Sequence, residues 1–234
     1  MEAENAAAGK IAPNKEAAVN EALTNALVAL NRNRFKTYYA ETKEEALALA
    51  LELIPEGARV AVGGSVTLGE IGLLDELRSG KYDFIDRDVF SNQAERAAKI
   101  RESLQADVFF MSSNAVTEDG LLYNVDGSGG RVAALQYGPK SVIVIAGRNK
   151  IVPALQDAVL RVKTVAAPLN TKRLGCRTYC AEKGRCLSVD QGCGEQMTAG
   201  CASRTRICSK YSVEGMQYIP GRIKVILVDE DLGF

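Results

Sequence analysis

Six cysteines, Cys176, Cys180, Cys186, Cys193, Cys201 and Cys208, fall within residues 173–210 of a 234-residue chain, at intervals of x3, x5, x6, x7 and x6. Cysteines that serve only as small apolar core residues scatter among strands and helices, and these do not. The same stretch holds Gly175, Gly184, Gly192, Gly194 and Gly200 with Arg and Lys interspersed, so it has little with which to build a core of its own. Its order must come from another source: disulfides, zinc or an iron–sulfur cluster. Structural zinc favours paired Cys-x2–4-Cys knuckles, and Cys176 with Cys180 alone has that spacing here. Long, irregular intervals suit a [4Fe–4S] cluster better, with zinc as the alternative.

Composition narrows the chemistry further. The chain has no histidine, which removes Ser–His and Cys–His nucleophile pairs and histidine-ligated metals. Acid–base work would fall to Asp, Glu, Lys or Tyr. Lys+Arg and Asp+Glu both number 29, a balance that argues against a nucleic-acid partner. No apolar run reaches the length of a membrane span, and the first residues are acidic with no hydrophobic leader. The expected location is cytoplasmic, where thiols stay reduced and clustered cysteines point to metal.

A second group of residues could bind an anion. Gly63, Gly64, Ser65 and Thr67 follow a short apolar strand and open a helix, so backbone N–H groups, hydroxyls and the helix N-terminus converge there. A plain capped turn is the ordinary alternative, since this is neither a Walker loop nor a dinucleotide fingerprint. Asn114 follows a later buried strand; Asn124, Asp126 and Arg131 cluster around a second Gly-rich turn; Lys150 follows the most apolar strand. Glu70 and Asp126 are the candidate catalytic carboxylates, with a solvated helix charge and a hairpin Asp-Gly as their ordinary alternatives. Lys150 could neutralise an anionic ligand, although a solitary lysine is more often solvated.

The elements that would position these residues alternate between strand and helix. Helical periodicity covers 14–30, and Thr42 with Glu45 forms a capping box for a helix to about Ile54. Phe35, Tyr38 and Tyr39 lie in an exposed-looking link between them. Strands are expected at 58–62, 82–85, 106–111, 121–125, 139–146 and 219–229, and helices at 68–77, 92–104, 131–136 and 151–162. That order indicates an α/β domain with a mostly parallel sheet flanked by helices, whose ligand sits beyond the carboxyl ends of the strands. Residues 1–13 are expected to form a flexible N-terminus and 14–234 a single domain. The cysteine-rich segment 173–210 is an insertion near the sheet, because a strand follows it.

The ordered set Gly63–Gly72, Thr117–Gly120, Asn124–Gly127, Arg131–Ala134 and Asn149–Val152 resembles the lactate-utilization (LUD-domain) protein family, over about residue 14 to Phe234. The resemblance implies a fold like that of glucosamine-phosphate deaminase, ribose-phosphate isomerase and CoA transferases. It also implies a part in lactate oxidation beside iron–sulfur and flavin-type partner proteins. A subset of the family carries a C-terminal cysteine pattern, which Cys180 and Cys186 match in their first interval and Cys201–Cys208 matches at its end. The match implies Cys180, Cys186, Cys201 and Cys208 as metal ligands, with Cys193 the alternative for the third.

These observations define three expectations. The first is an iron–sulfur protein binding a small anionic ligand, acting in 2-hydroxy-acid metabolism or electron transfer. If it is an enzyme, it is an oxidoreductase or lyase on a small carboxylate. The second is a transferase, isomerase or hydrolase on a phosphorylated or CoA-linked substrate, with a structural zinc or iron–sulfur site. The third is a non-catalytic subunit of a redox complex. Redox proteins are the expected partners and a homodimer is compatible with the sequence; neither a membrane nor a nucleic acid is expected.

Overall fold

A computed structural model describes residues 21–234. The expected flexible segment 1–13 and the first residues of the expected helix at 14–30 lie outside the described residues. The first described helix, α1, spans Glu21–Arg32 and buries Leu23, Ala26 and Leu30 on one face.

The chain continues through β1 (Lys36–Ala40), α2 (Lys43–Glu52), β2 (Arg59–Val62), α3 (Val66–Glu70), α4 (Leu73–Leu77) and β3 (Asp83–Ile85). Then come α5 (Gln93–Glu102), β4 (Val108–Met111), β5 (Ala115–Thr117), β6 (Leu122–Asp126), α6 (Gly130–Gln136), β7 (Ser141–Gly147) and β8 (Ile151–Val152). The last part holds α7 (Leu155–Arg161), α8 (Ala167–Arg173), α9 (Tyr179–Lys183), α10 (Leu187–Asp190), β9 (Lys210–Glu214) and β10 (Ile223–Val228).

Among the described residues, six strands form one parallel sheet in the order β1-β10-β7-β4-β2-β3. Period-two alternation divides its side chains between two core layers. Ala61, Phe109, Met111, Val142 and Val144 pack on the α1 and α6 side with Leu23, Leu30 and Leu135. Val60, Val62, Phe110, Ile143 and Ile145 pack on the other side with Ala46 and Ala50 of α2 and with Leu68, Leu73 and Leu77 of α3 and α4. The apolar run in β7 is buried on both faces, as a central parallel strand requires.

A second, four-stranded sheet, β8-β5-β6-β9, grows from the carboxyl ends of the first. β5 and β6 form an antiparallel hairpin, β8 joins β5 in parallel, and β9 runs antiparallel to β6. Residues 174–209, with all six cysteines, lie between α8 and β9.

Four expectations are corrected. The link around Phe35–Tyr39 is β1, a half-exposed edge strand anchored by a buried Phe35. The expected helix at 68–77 is two short helices, broken at Gly72, whose φ of +80° no ordinary helix residue adopts. The helix expected from Ile151 starts at Leu155, because Ile151 and Val152 pair with β5 instead. It also does not stop at Val162: a π-helical turn, Val162–Ala166, joins α7 to α8. Pro168 sits at the start of α8 and has no N–H to offer the preceding turn, which accounts for the widened helix just before it.

Candidate functional site

The carboxyl ends of β2, β4 and β7 deliver three loops to one place, and a cleft of about 550 Å³ opens above them. Gly63, Gly64, Ser65, Asn114, Asp126, Arg131 and Lys150 line it. Thr67, Asn124 and Glu70 do not line it. Thr67 and Asn124 are fully buried behind it, and the Glu70 carboxylate accepts the Gly233 N–H at 2.6 Å.

The anionic attraction expected of the Gly63–Thr67 turn rests on less backbone than the sequence implied. The helix it opens, α3, has five residues, so few aligned peptide dipoles stand behind it. Ser65 Oγ accepts from Leu68 N–H and caps that helix. Side chains supply the positive charge instead: Arg87, Arg96, Arg131 and Arg173 face the cleft, and Asp88 and Asp126 are the carboxylate side chains that line it.

Arg131 holds the loops together. Nη1 donates to Ser112 O at 2.8 Å and Asn124 Oδ1 at 2.6 Å, and Nη2 donates to Asn114 Oδ1 at 2.7 Å and Val125 O at 2.8 Å. Asp126 accepts the backbone N–H groups of Gly129 and Arg131, fixing the start of α6. Asn124 is used at both ends, since Nδ2 also donates to Ser113 Oγ at 3.2 Å. Burial depresses the pKa of Arg131, and neighbouring Arg87 adds to this while Asp126 opposes it. Gly63 is the seat for this arginine: a Cβ there would stand 2.9 Å from Arg131 Cγ.

Arg87 is the complementary case. Its Nε is buried with no hydrogen-bond partner among the described residues. Its guanidinium faces Gly64, where an added Cβ would lie 3.8 Å from Nη2. Burial, then the like charge of Arg96, pull its pKa down. Two cations held close together at a cleft present an anion with donors already in place.

Lys150 is 3% exposed, and its Nζ donates to Thr67 Oγ1 at 2.7 Å and Ser112 Oγ at 2.9 Å. No carboxylate among the described residues is within ion-pair distance of it. Burial, followed by the charges of Arg161 and Arg131, brings its pKa down to about 7 against a small opposing effect of Glu70.

Beyond the cleft is a small cavity lined by Cys180, Cys186, Cys201 and Cys208, together with Tyr123, Lys163, Met197 and Tyr211. Cys176 and Cys193 do not line it. No disulfide forms among the described residues; all six cysteines are free thiols. Three of the four lining sulfurs have polar neighbours. Cys180 Sγ lies 3.3 Å from Thr178 Oγ1 and 3.4 Å from Thr171 Oγ1; Cys186 Sγ accepts from Ser188 Oγ at 3.3 Å; Cys208 Sγ accepts from Arg206 Nε at 3.3 Å. Arg206 also fixes the loop, donating to Cys201 O, Thr198 O and Tyr211 Oη at 2.7–3.0 Å. Burial pushes the Cys208 thiol up, the Arg206 charge working against it. Among the described residues, no three Cys, Asp or Glu side chains gather tightly enough to hold a single ion.

Cys208, Val162 and Ala167 line both spaces, so the cavity and the cleft share a boundary. The π turn and α8 form its helical part. Lys163 faces the cavity, and Asn170 and Arg173 face the cleft.

The sequence did not single out Arg87, Arg96 or Arg173. Arg87 sits in the loop Asp86–Asp88 just after β3, and its place at the carboxyl end of a parallel strand was the available signal. Arg96 is on a charged helix, where nothing local distinguishes it from a solvated residue.

A LUD domain family model matches residues 23–228. No curated protein matches the chain. Among solved structures, a DUF162 family protein from Deinococcus radiodurans is similar at a TM-score of 0.51 and 14% identity, covering 89% of this chain and 96% of that one. Ribose 5-phosphate isomerase A from Methanocaldococcus jannaschii is similar at a TM-score of 0.32 and 17% identity, covering 49% of this chain and 56% of that one.

Proposed function

The chain belongs to the LUD-domain family, and from that premise we propose that it is an iron–sulfur protein that binds a small anionic 2-hydroxy or 2-keto acid in the cleft. Its role is in lactate-like metabolism or the electron transfer linked to it. The observation that carries the proposal is the shared boundary: four free cysteines line one cavity, and Cys208 is common to that cavity and the cationic cleft.

The donor set fits a cluster. Four thiol sulfurs face one space, with hydroxyl or guanidinium groups beside three of them to support thiolate charge. A zinc ion draws four sulfurs onto one centre at about 2.3 Å, whereas a [4Fe–4S] cluster spreads them over separate irons. No three of these side chains among the described residues gather tightly enough for a single ion, and the preference for a cluster over zinc rests on the long, irregular cysteine intervals. When bound, such a cluster supplies one-electron transfer. Arg206 would hold Cys208 and shape the loop, and Lys163, whose Nζ donates to Gln196 O, would add positive charge beside the sulfurs.

In the cleft, Arg87 and Arg96 would take the ligand's carboxylate, and the Arg131 network would keep the three loops in register. Asp126 is committed to two backbone N–H groups, which supports a positioning role for it. A second reading, a transferase, isomerase or hydrolase for a phosphorylated or CoA-linked substrate, is favoured by the cleft's volume, which exceeds what a three-carbon acid fills.

Anaerobic purification followed by visible spectroscopy and iron, sulfide and zinc analysis tests the proposal. A brown protein with iron and sulfide supports it. A colourless, iron-free protein containing zinc would defeat it.

A further inference from the structure

Lys150 is placed as a nucleophile. It follows the carboxyl end of the central strand β7, its Nζ bracketed by the hydroxyls of Thr67, in helix α3 after β2, and Ser112, directly after the neighbouring strand β4. It lines the cleft while almost entirely buried. The charged groups around it are Arg161 from α7, Arg131 from α6 and the carboxylate of Glu70 from α3, and none of them pairs with it. A dry setting and two like charges leave a large share of this lysine amine unprotonated near pH 7, the condition that makes amines attack carbonyls.

We propose that Lys150 forms a Schiff base with the carbonyl carbon of a keto compound bound in the cleft. The inference rests on the cleft being an anion site, because Arg87 and Arg96 would hold the acidic end of the same molecule. The neutral Nζ adds to the carbonyl carbon, forming a C–N bond, and its two N–H protons pass to the carbonyl oxygen as the C–O bond breaks. Thr67 and Ser112 are the hydroxyls in reach of that exchange. Loss of the oxygen as water leaves a C=N bond, with no net oxidation or reduction. For a 2-hydroxy acid the partner is its 2-keto counterpart; for a phosphorylated substrate it is a keto phosphate.

The full-length protein is incubated with pyruvate, and separately with dihydroxyacetone phosphate, in the presence of borohydride, whose hydride reduces C=N to a stable amine. Intact mass and peptide mapping are then recorded. The expected result is one reduced adduct on the Lys150 peptide with at least one probe. It should increase several-fold from pH 6 to pH 8 and be lost in Lys150→Arg and Lys150→Met. Folding of both variants is checked by thermal melting. Probe binding detected by calorimetry with no adduct on Lys150 overturns the Schiff base and leaves the anion site standing. Neither binding nor adduct with either probe overturns both.

Discussion

Lys150 Nζ and Thr67 Oγ1 meet at 2.7 Å across 83 residues of chain. Burial of that amine leaves its proton poorly held, and this fixes the sign of a pH effect. The folded pKa of about 7 lies below the ordinary 10.5. Between these values the unfolded chain carries a proton that the folded chain lacks, so this group makes stability rise with pH and contributes least below pH 7. Urea unfolding should show wild type gaining about 2 kcal/mol over Lys150→Met between pH 7 and pH 9. Parallel curves for the two proteins would contradict it.

Arg131 and Arg87 should separate stability from binding. Arg131→Met removes four hydrogen bonds and strands the carbonyl of a fully buried Asn124, so a loss of about 3 kcal/mol or more is expected in denaturant. Arg87→Gln disturbs no such network. It should melt within a few degrees of wild type while binding pyruvate about 10- to 100-fold more weakly by calorimetry.

Two adjacent glycines should differ in the same way. An Ala at position 63 would press its methyl to 2.9 Å from Arg131 Cγ and 3.0 Å from Cδ, against a side chain held by four bonds. Gly63→Ala should destabilise by about 1–3 kcal/mol, as overpacking does. Gly64→Ala has its nearest neighbour at 3.8 Å, on Arg87, and should leave the melting temperature unchanged.

The six cysteines should divide into four and two. Serine at Cys180, Cys186, Cys201 or Cys208 should each lower the iron and sulfide bound per chain after anaerobic purification. Serine at Cys176 or Cys193, which do not line the cavity, should leave both unchanged. Equal loss at Cys193 would move the ligand set.

The strands buried on both faces were legible because they carry their own evidence: β7 and β10 are apolar runs whatever surrounds them. β1 was not, because an edge strand reading Lys-Thr-Tyr-Tyr-Ala becomes one only by pairing with β10, some 190 residues later. β9 was hidden for the same reason, its partner β6 being far upstream. At the site, the glycine turns and the cysteine intervals mark themselves by residue type. Arg87 does not: what distinguishes it is a buried Nε that makes no hydrogen bond among the described residues, and burial is a tertiary property. Lys150 was visible as a residue but not as a dry one. Asn124 and Arg131 were visible as polar groups near a turn, while their commitment to each other emerged only from the folded loops.

The helical stretch that divides the two chambers is a partition with machinery fixed to both sides. Its π turn shifts the register of everything that follows. Deleting Thr164 would wind the downstream helix back by about 100° and swing Asn170 and Arg173 away from their present chamber. Neither room can therefore be remodelled through this helix without rearranging the other.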